Sequence, residues 1–264
     1  METTARVTYG NYLKLDELLT LQTPQSEGPQ GPEHDVLLFI VIHQTYELWF
    51  KLVLHELALV QKSLETGDTP GALETFKRIL TIFKTLVGQV DILETMTPVS
   101  FFSFRDRLDT ASGFQSVQFR EIEFVLGARN RVLAEHYPPS REMLLRRLTE
   151  PSLYDSFLRY VTARGYPVPR EALDRERAEP PQENALVQQV LVAIYHRDPA
   201  TRDICERMVD LDEGVQEWRY RHVKMVERTI GIKRGTGGSS GADYLRGTLF
   251  KALFPDLWAI RPQL

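Results

Sequence analysis

Cysteine is almost absent from this sequence of 264 residues, which contains a single one, Cys205. One cysteine cannot form a disulfide within the chain, and this composition is typical of proteins from the reducing cytoplasm. Long apolar runs are missing as well. The longest, residues 36–42, is far below the roughly 20 residues that a helix needs to cross a bilayer. The N-terminus has no apolar stretch typical of a signal peptide. We therefore expect a cytoplasmic protein that does not span a membrane.

The sequence also lacks an excess of positive charge. Its formal net charge is -4 and its pI is about 5.9, so it has no basic composition of the kind that nucleic-acid-binding domains use. Common metal-binding motifs are missing too. None of the six histidines follows a glutamate at the spacing Glu-x-x-His, and no His-Glu-x-x-His is present. We therefore expect no nucleic-acid partner, no di-iron carboxylate centre and no zinc-protease site.

Helical periodicity, by contrast, is abundant. Apolar residues recur every three or four positions over most of the chain, and no segment shows a convincing strand period of two. Thr69, Thr97 and Asp198 each precede a proline, a combination that opens a helix with these residues as N-caps. We therefore expect an all-α bundle of long helices in a single domain, residues 1–264. The predicted helices are 7–22, 35–65, 70–96, 98–108, 115–126, 185–196, 199–230 and 242–253.

Residues 127–185 are harder to interpret. Short helical patterns lie near 143–148 and 154–161, and a loop rich in proline and charge follows at 165–182. A loop of this composition could be a linker between domains. We interpret it as a surface excursion, because the helices on both sides have apolar faces that need each other.

The clearest apolar stripe belongs to the segment 208–229. Its members are separated by alternating steps of three and four residues: Met208, Leu211, Val215, Trp218, His222, Met225 and Thr229. The opposite face is charged, with Asp212, Glu213, Glu217, Arg221, Lys224 and Arg228. A histidine in such a stripe is either a core residue held by a hydrogen bond or an axial ligand of a buried metal or haem.

Three further features have two interpretations each. His43 lies in the stripe of helix 35–65, one turn after Phe39, and two histidines on different apolar helices suit a haem, whose porphyrin supplies the other iron ligands. Arg105 lies among aromatic residues, where it is either a solvated surface side chain or a bidentate partner for a carboxylate. The glycine-rich stretch 233–241 is either a flexible connection or a loop whose N–H groups contact an anion.

Five blocks of the sequence together resemble one known family. They are YGNYLKLDELL, FIVIHQTYELWFKL, FRDRLDTASGFQSVQFREIEF, QEWRYRHVKMVERTIGIKRGTGGSSG and LFPDLW. In this order they are similar to bacterial members of the tryptophan 2,3-dioxygenase family, over residues 7–258 and least closely between 129 and 199. The resemblance implies an all-helical bundle that encloses a ferrous b-type haem, in a homotetramer. Such an enzyme cleaves the indole C2–C3 bond of L-tryptophan with O2 and gives N-formylkynurenine, the first step of the kynurenine pathway.

The resemblance also implies roles for individual residues. His222 matches the proximal histidine that binds the haem iron, and His43 matches the distal histidine that accepts the indole N–H. Phe39 matches the aromatic wall of the indole pocket, and Arg105 the arginine that binds the substrate carboxylate. The other matches are Thr236 near the substrate's polar end, Ser112 and Gly113 beside the haem, and Tyr9, Tyr12 and Leu13. The family lends these last three to a neighbouring subunit, so segment 1–22 is expected to pack there.

One position departs from part of the family. Phe101 stands where some bacterial members have a tyrosine whose hydroxyl also contacts the carboxylate. That contact is missing here, so Arg105 is expected to carry more of the binding. Two alternatives stay open: a related histidine-ligated haem oxygenase that acts on another indole or aromatic amino acid, and a haem-binding sensor without catalysis.

Overall fold

The computed structural model describes residues 6–25, 28–29, 31–135, 140–236 and 241–264. Every regular element among them is a helix, apart from isolated bridges that Gly31 makes with Gly28 and Pro29. The all-α prediction is therefore confirmed. The α-helices are α1 (Tyr9–Leu13), α2 (Leu15–Leu18), α3 (His34–Thr66), α4 (Thr69–Leu93), α5 (Pro98–Arg105), α6 (Val117–Leu126), α7 (Arg131–Glu135), α8 (Arg141–Thr149), α9 (Leu153–Ala163), α10 (Arg170–Leu173), α11 (Ala185–Arg197), α12 (Pro199–Ile230), α13 (Ala242–Arg246) and α14 (Pro255–Ala259).

Three long helices form the centre of the bundle. α4 packs along both α3 and α12, and α6 and α9 pack on α3. The facing sides bury large apolar side chains completely, among them Leu57 of α3, Phe76 of α4 and Leu211 of α12. Since α3 carries His43 and α12 carries His222, the packing of both helices on α4 positions the two histidines relative to each other.

Two of the three predicted N-caps are confirmed. Thr97 and Asp198 each accept the backbone N–H three residues further on, at 3.1 Å. The third prediction was wrong, because α4 begins at Thr69 and Asp68 caps it. The hydroxyl of Thr69 lies instead 2.6 Å from the hydroxyl of Tyr160. The Thr69 side chain, which local spacing predicted to be the cap, therefore makes a tertiary contact with α9 instead.

The last predicted helix, 242–253, was wrong in extent, since α13 ends at Arg246 and α14 follows separately. Asp212 explains the break. The sequence analysis placed Asp212 on the charged face of its helix, but the residue is only 1% exposed. Its Oδ2 binds the part of the chain that follows α13. This oxygen accepts hydrogen bonds from the N–H groups of Leu253 (2.8 Å) and Phe254 (3.3 Å) and the indole N–H of Trp258 (2.9 Å).

The segment 127–185 contains four short helices, α7 to α10, and the predicted patterns near 143–148 and 154–161 fall within α8 and α9. Arg129 ties this segment together. It is buried, and its guanidinium donates to the backbone carbonyls of Arg147, Leu148 and Glu150 at the end of α8. Burial lowers the pKa of Arg129 to about 10.

The predicted helix 7–22 is divided into α1 and α2 at Lys14, whose φ is +55°. Neither short helix buries a residue. The segment is joined to α3 through Gln44, which accepts from the Gln22 side chain at 2.6 Å and donates to the carbonyl of Leu21 at 3.0 Å. The N-terminal helices therefore lie on the surface of their own chain.

By length and composition α3 could cross a membrane, since it has 33 residues and a mean hydropathy of 1.4 over its most apolar window. The central helix of a bundle meets the same criteria, and α3 packs on α4, α6 and α9. Part of it nevertheless stays uncovered. Leu37, Val41, Leu48 and Leu59 are exposed, and their spacings are close to whole helical turns, so they form one stripe.

Candidate functional site

A cavity of about 240 Å³ lies between α3, α4, α5, α6 and α12. By the same measure a single water needs only about 10–15 Å³, so the cavity has room for an organic ligand. The structure brings together every predicted site residue outside the N-terminal segment. These lining residues are Phe39, His43, Phe101, Arg105, Ser112, Gly113, His222 and Thr236.

Tyr9, Tyr12 and Leu13 are not brought to this cavity. They do not line it in their own chain, and they are 77%, 76% and 42% exposed. Their side chains are therefore available to another surface.

The orientation of His43 follows from its place on α3. Its Nδ1 lies 2.7 Å from the carbonyl oxygen of Phe39, one turn earlier. Because a carbonyl only accepts hydrogen bonds, Nδ1 carries the proton and Nε2 is the acceptor of the ring. Burial lowers the pKa of His43, although the Phe39 hydrogen bond and the charge of Glu47 act in the opposite direction. His43 is therefore neutral near pH 7, and the Phe39 ring lies beside it with centroids 4.1 Å apart.

His222 lies in the predicted stripe of α12, with the ring of Trp218 stacked on it at a centroid distance of 5.1 Å. Burial, with smaller effects from His43 and Arg120, lowers the pKa of His222 to about 4. Among the described residues, neither ring nitrogen of His222 has a hydrogen-bond partner. The hydrogen bonds of His43 and Arg219, which also line the cavity, are made to other residues. The described structure therefore does not support the interpretation of His222 as a core histidine held by a hydrogen bond. A neutral imidazole that borders a cavity is instead free to bind a metal.

A buried charged cluster forms another part of the cavity wall. Arg120 and Glu123 of α6 are paired with each other, and Glu123 Oε1 also accepts from Arg219 Nη2 of α12 at 2.7 Å. All three are about 6% exposed. Two guanidinium groups, those of Arg120 and Arg219, therefore pair with the single Glu123 carboxylate. Arg219 Nε is buried and without a partner in the described structure, which favours an anionic group at this wall.

Sequence reasoning missed this cluster. Isolated charges in a helix usually face solvent, and the pairing of Glu123 with Arg219 depends on which faces of α6 and α12 meet. Two local signals could have indicated it. Arg219 precedes His222 by three residues and so shares its side of the helix. Arg120 and Glu123 lie inside the largely apolar run of α6.

The remaining wall joins the end of α5 to the glycine-rich loop. Arg105 Nη2 donates to the carbonyl of Arg234 at 2.6 Å, and the hydroxyl of Thr236 donates to the carbonyl of Ala111 at 2.6 Å. Residues 237–240 of the predicted loop lie outside the described residues. The described part of the loop is therefore hydrogen-bonded to two residues that line the cavity, Arg105 and Ala111.

These observations define a helical-bundle protein whose internal cavity has two neutral histidines, an aromatic wall and cationic groups. Comparison with known proteins makes the class specific. Residues 1–142 and 181–264 match the family described as Tryptophan 2,3-dioxygenase. The chain is 56% identical over 260 residues to the tryptophan 2,3-dioxygenase of Herpetosiphon aurantiacus, with 98% of each chain covered. It is also 56% identical over 263 residues to that of Anaeromyxobacter sp. (strain K), covering 98% of this chain and 97% of the relative.

More distant relatives carry the same name. The tryptophan 2,3-dioxygenase of Pseudomonas fluorescens is 39% identical over 264 residues, with 98% of this chain and 91% of the relative covered. This chain belongs to the tryptophan 2,3-dioxygenase family, which confirms the resemblance seen in the sequence. The two alternative functions are not favoured.

Proposed function

We propose that this chain is an enzyme that cleaves the indole C2–C3 bond of L-tryptophan with O2 to give N-formylkynurenine. Membership of the family supports oxidative cleavage of tryptophan. The observation that carries the proposal is the convergence on one cavity of three side chains: His43 with a free acceptor nitrogen, His222 without a hydrogen-bond partner among the described residues, and Arg105. L-Tryptophan has complementary parts: an indole N–H, a flat ring and a carboxylate.

A ferrous b-type haem is the cofactor that these residues fit best. The described residues contain no group of three or more histidine, cysteine and carboxylate side chains that could hold a bare metal ion. A haem needs only an axial ligand from the protein, and the unpartnered, neutral His222 meets that need. The buried Nε of Arg219, which has no partner in the described structure, suits a propionate carboxylate. When bound, the haem supplies the reactivity toward O2, and the protein supplies orientation.

His43 is the group that we assign to the indole. Its Nδ1–H is occupied by the Phe39 carbonyl, so Nε2 can accept the indole N–H without any change of tautomer. Phe39 lies against the histidine ring and provides a wall for the flat substrate. In this assignment His43 orients the ring and does not remove its proton.

The polar end of the substrate is assigned to the cavity edge. Arg105 binds the carboxylate, and Thr236 supplies a hydroxyl near the ammonium and carboxylate groups. Arg105 has five N–H donors, of which the Arg234 carbonyl takes one, so donors remain for a bidentate contact. Phe101 offers no hydroxyl, while Ser112 and Gly113 complete the turn beside the cofactor.

The protein is proposed to work in the cytoplasm as a homotetramer of single-domain chains. Two features support the assembly. Segment 1–22 includes Tyr9, Tyr12 and Leu13, which are exposed on their own chain and fit the expected contribution to a neighbouring cavity. The apolar stripe of α3, at Leu37, Val41, Leu48 and Leu59, is uncovered within one chain, as expected of a surface that meets another subunit.

The proposal is tested by supplying ferrous, haem-loaded protein with O2 and L-tryptophan and following N-formylkynurenine by absorbance. Arg105→Ala should lower kcat/KM by about 30-fold or more, since loss of one partner of a desolvated ion pair costs about 2–5 kcal/mol. Binding of tryptamine, which has no carboxylate, should change little.

Arg107→Ala is the matched control. Arg107 lies two residues further on, pairs with Glu33 and does not line the cavity, so this variant should keep normal kcat/KM. Absence of product from the wild type would refute the proposed reaction. Equal weakening of tryptophan and tryptamine binding by Arg105→Ala would refute the carboxylate assignment.

A further inference from the structure

Two positively charged side chains lie close to the ring of Phe102 near the cavity edge. Lys233 Nζ is 3.9 Å from the centroid of its ring, and Arg105 Cζ is 5.8 Å from the same centroid. Both distances are within the roughly 6 Å range of a cation–π interaction. Arg105 lines the cavity, whereas Phe102 and Lys233 do not. The Phe102 ring therefore connects a loop residue outside the cavity to an arginine inside it.

A second bond joins the same two parts of the chain. Arg105 Nη2 donates to the carbonyl of Arg234 at 2.6 Å, and Arg234 follows Lys233 directly. Among the described residues, this carbonyl is the hydrogen-bond partner of the Arg105 guanidinium and the Phe102 ring is its cation–π partner. The orientation of Arg105 thus depends on where the loop holds the Arg234 carbonyl.

The backbone at Lys233 is bonded to the end of α12 and lies close to Gly241. Its N–H donates to the carbonyl of Ile230 at the end of α12, at 3.2 Å. On the other side, Gly241 has a φ of +66°, and a Cβ there would lie only 2.6 Å from the Lys233 carbonyl oxygen. Only glycine allows this approach. Lys233 therefore belongs to the fixed base of the loop, and its ammonium can hold that base against α5.

We propose that Lys233 and Phe102 are positioning residues that hold Arg105 in the orientation in which it binds the substrate carboxylate. This inference rests on the proposed function of Arg105. The loop contacts α5 in two ways, through Lys233 on the Phe102 ring and through the Arg234 carbonyl on Arg105. Without the Lys233 ammonium the first contact is lost, and the Arg105 side chain gains rotamers that substrate binding must then restrict. At an exposed site a cation–π interaction such as that of Lys233 with Phe102 changes an equilibrium constant, here the Kd for the substrate, about two- to fivefold.

The test compares Lys233→Met, Lys233→Arg and Phe102→Leu in the haem-loaded protein. Calorimetry gives Kd for L-tryptophan and for tryptamine, and steady-state kinetics gives KM and kcat. Lys233→Met and Phe102→Leu should raise Kd and KM for L-tryptophan about two- to fivefold, with kcat and the tryptamine Kd unchanged. Lys233→Arg keeps the cation and should restore wild-type values.

Lys224→Met is the matched control. Lys224 Nζ lies 5.9 Å from the Tyr220 ring and 2.9 Å from Glu227 Oε2 on α12, so the variant removes a lysine cation beside an aromatic ring that is not joined to Arg105. Its Kd and KM for L-tryptophan should equal those of the wild type.

Arg105→Ala separates the two proposals. Arg105→Ala/Lys233→Met should bind L-tryptophan like Arg105→Ala alone, because the Lys233 effect acts through Arg105. If Arg105→Ala is selective for L-tryptophan but Lys233→Met leaves Kd unchanged, or weakens both ligands equally, the positioning role is wrong while the carboxylate assignment stands. If Arg105→Ala itself is not selective, the carboxylate assignment fails first.

Discussion

Replacing His43 by alanine tests how the cavity handles the indole N–H. Nδ1 lies 2.7 Å from the Phe39 carbonyl, which leaves Nε2 as an acceptor. If Nε2 only accepts a hydrogen bond, its loss costs about 1–3 kcal/mol, or roughly five- to 140-fold in kcat/KM. A general base would contribute about 100- to 10,000-fold. We expect a loss in the smaller range, with measurable activity retained.

Because the two ranges overlap, a second substrate makes the assay decisive. L-Tryptophan methylated on the indole nitrogen has no N–H to donate and should clash with Nε2 in the wild type. The ratio of kcat/KM for the methylated and normal substrates should therefore rise in His43→Ala. His55→Ala is the control, since His55 is an exposed histidine of the same helix that does not line the cavity. It should leave both values unchanged.

The opposite result is equally clear. If His43→Ala binds haem and L-tryptophan normally and yet forms no product from either substrate, the purely orienting role is refuted. In that case His43 accepts a proton in the reaction, and the argument from its fixed tautomer is wrong.

His222→Ala should give a folded helical protein with little haem, checked by circular dichroism and the haem-to-protein absorbance ratio; full haem content would refute the ligand assignment. Deletion of residues 1–14 should abolish tryptophan turnover while haem binding survives, and a fully active truncated protein would contradict the trans contribution. Burial alone would raise the pKa of Asp198, but hydrogen bonds from Thr201 and the ion pair with Arg164 lower it. This stabilisation is present above the ordinary carboxyl pKa of about 4 and disappears as the pH falls through the lowered value. Asp198→Ala should therefore cost about 0.5–2 kcal/mol at pH 7 in urea unfolding, and a cost that does not begin to fall as the pH is lowered below about 4 would contradict this cause.

Periodicity predicted the long helices because each has a buried stripe that repeats locally. The stripe of α12 is a clear case: Met208, Leu211 and Val215 are at most 1% exposed. The end of the chain was not predictable in this way. Its path depends on Asp212, whose hydrogen-bond donors begin 41 residues later, and no local pattern shows that pairing.

The same distinction between local patterns and tertiary contacts applies to the residues of the candidate site. His222 was suggested by its place in the stripe, whereas the choice between the two interpretations of Arg105 came only from the family resemblance. Arg120, Glu123 and Arg219 remained hidden because their significance depends on contact between α6 and α12. Charges that pair across helices leave no periodic signal.

The position of α4 has a consequence for engineering. The helices that carry the two histidines both pack along α4, and Val90 and Leu93 of α4 line the cavity. These two side chains therefore act as spacers between the histidine-bearing walls. A directed-evolution library for bulkier substituted indoles would begin with smaller residues at Val90 and Leu93, which enlarge the cavity and leave the polar residues proposed to bind the amino acid unchanged.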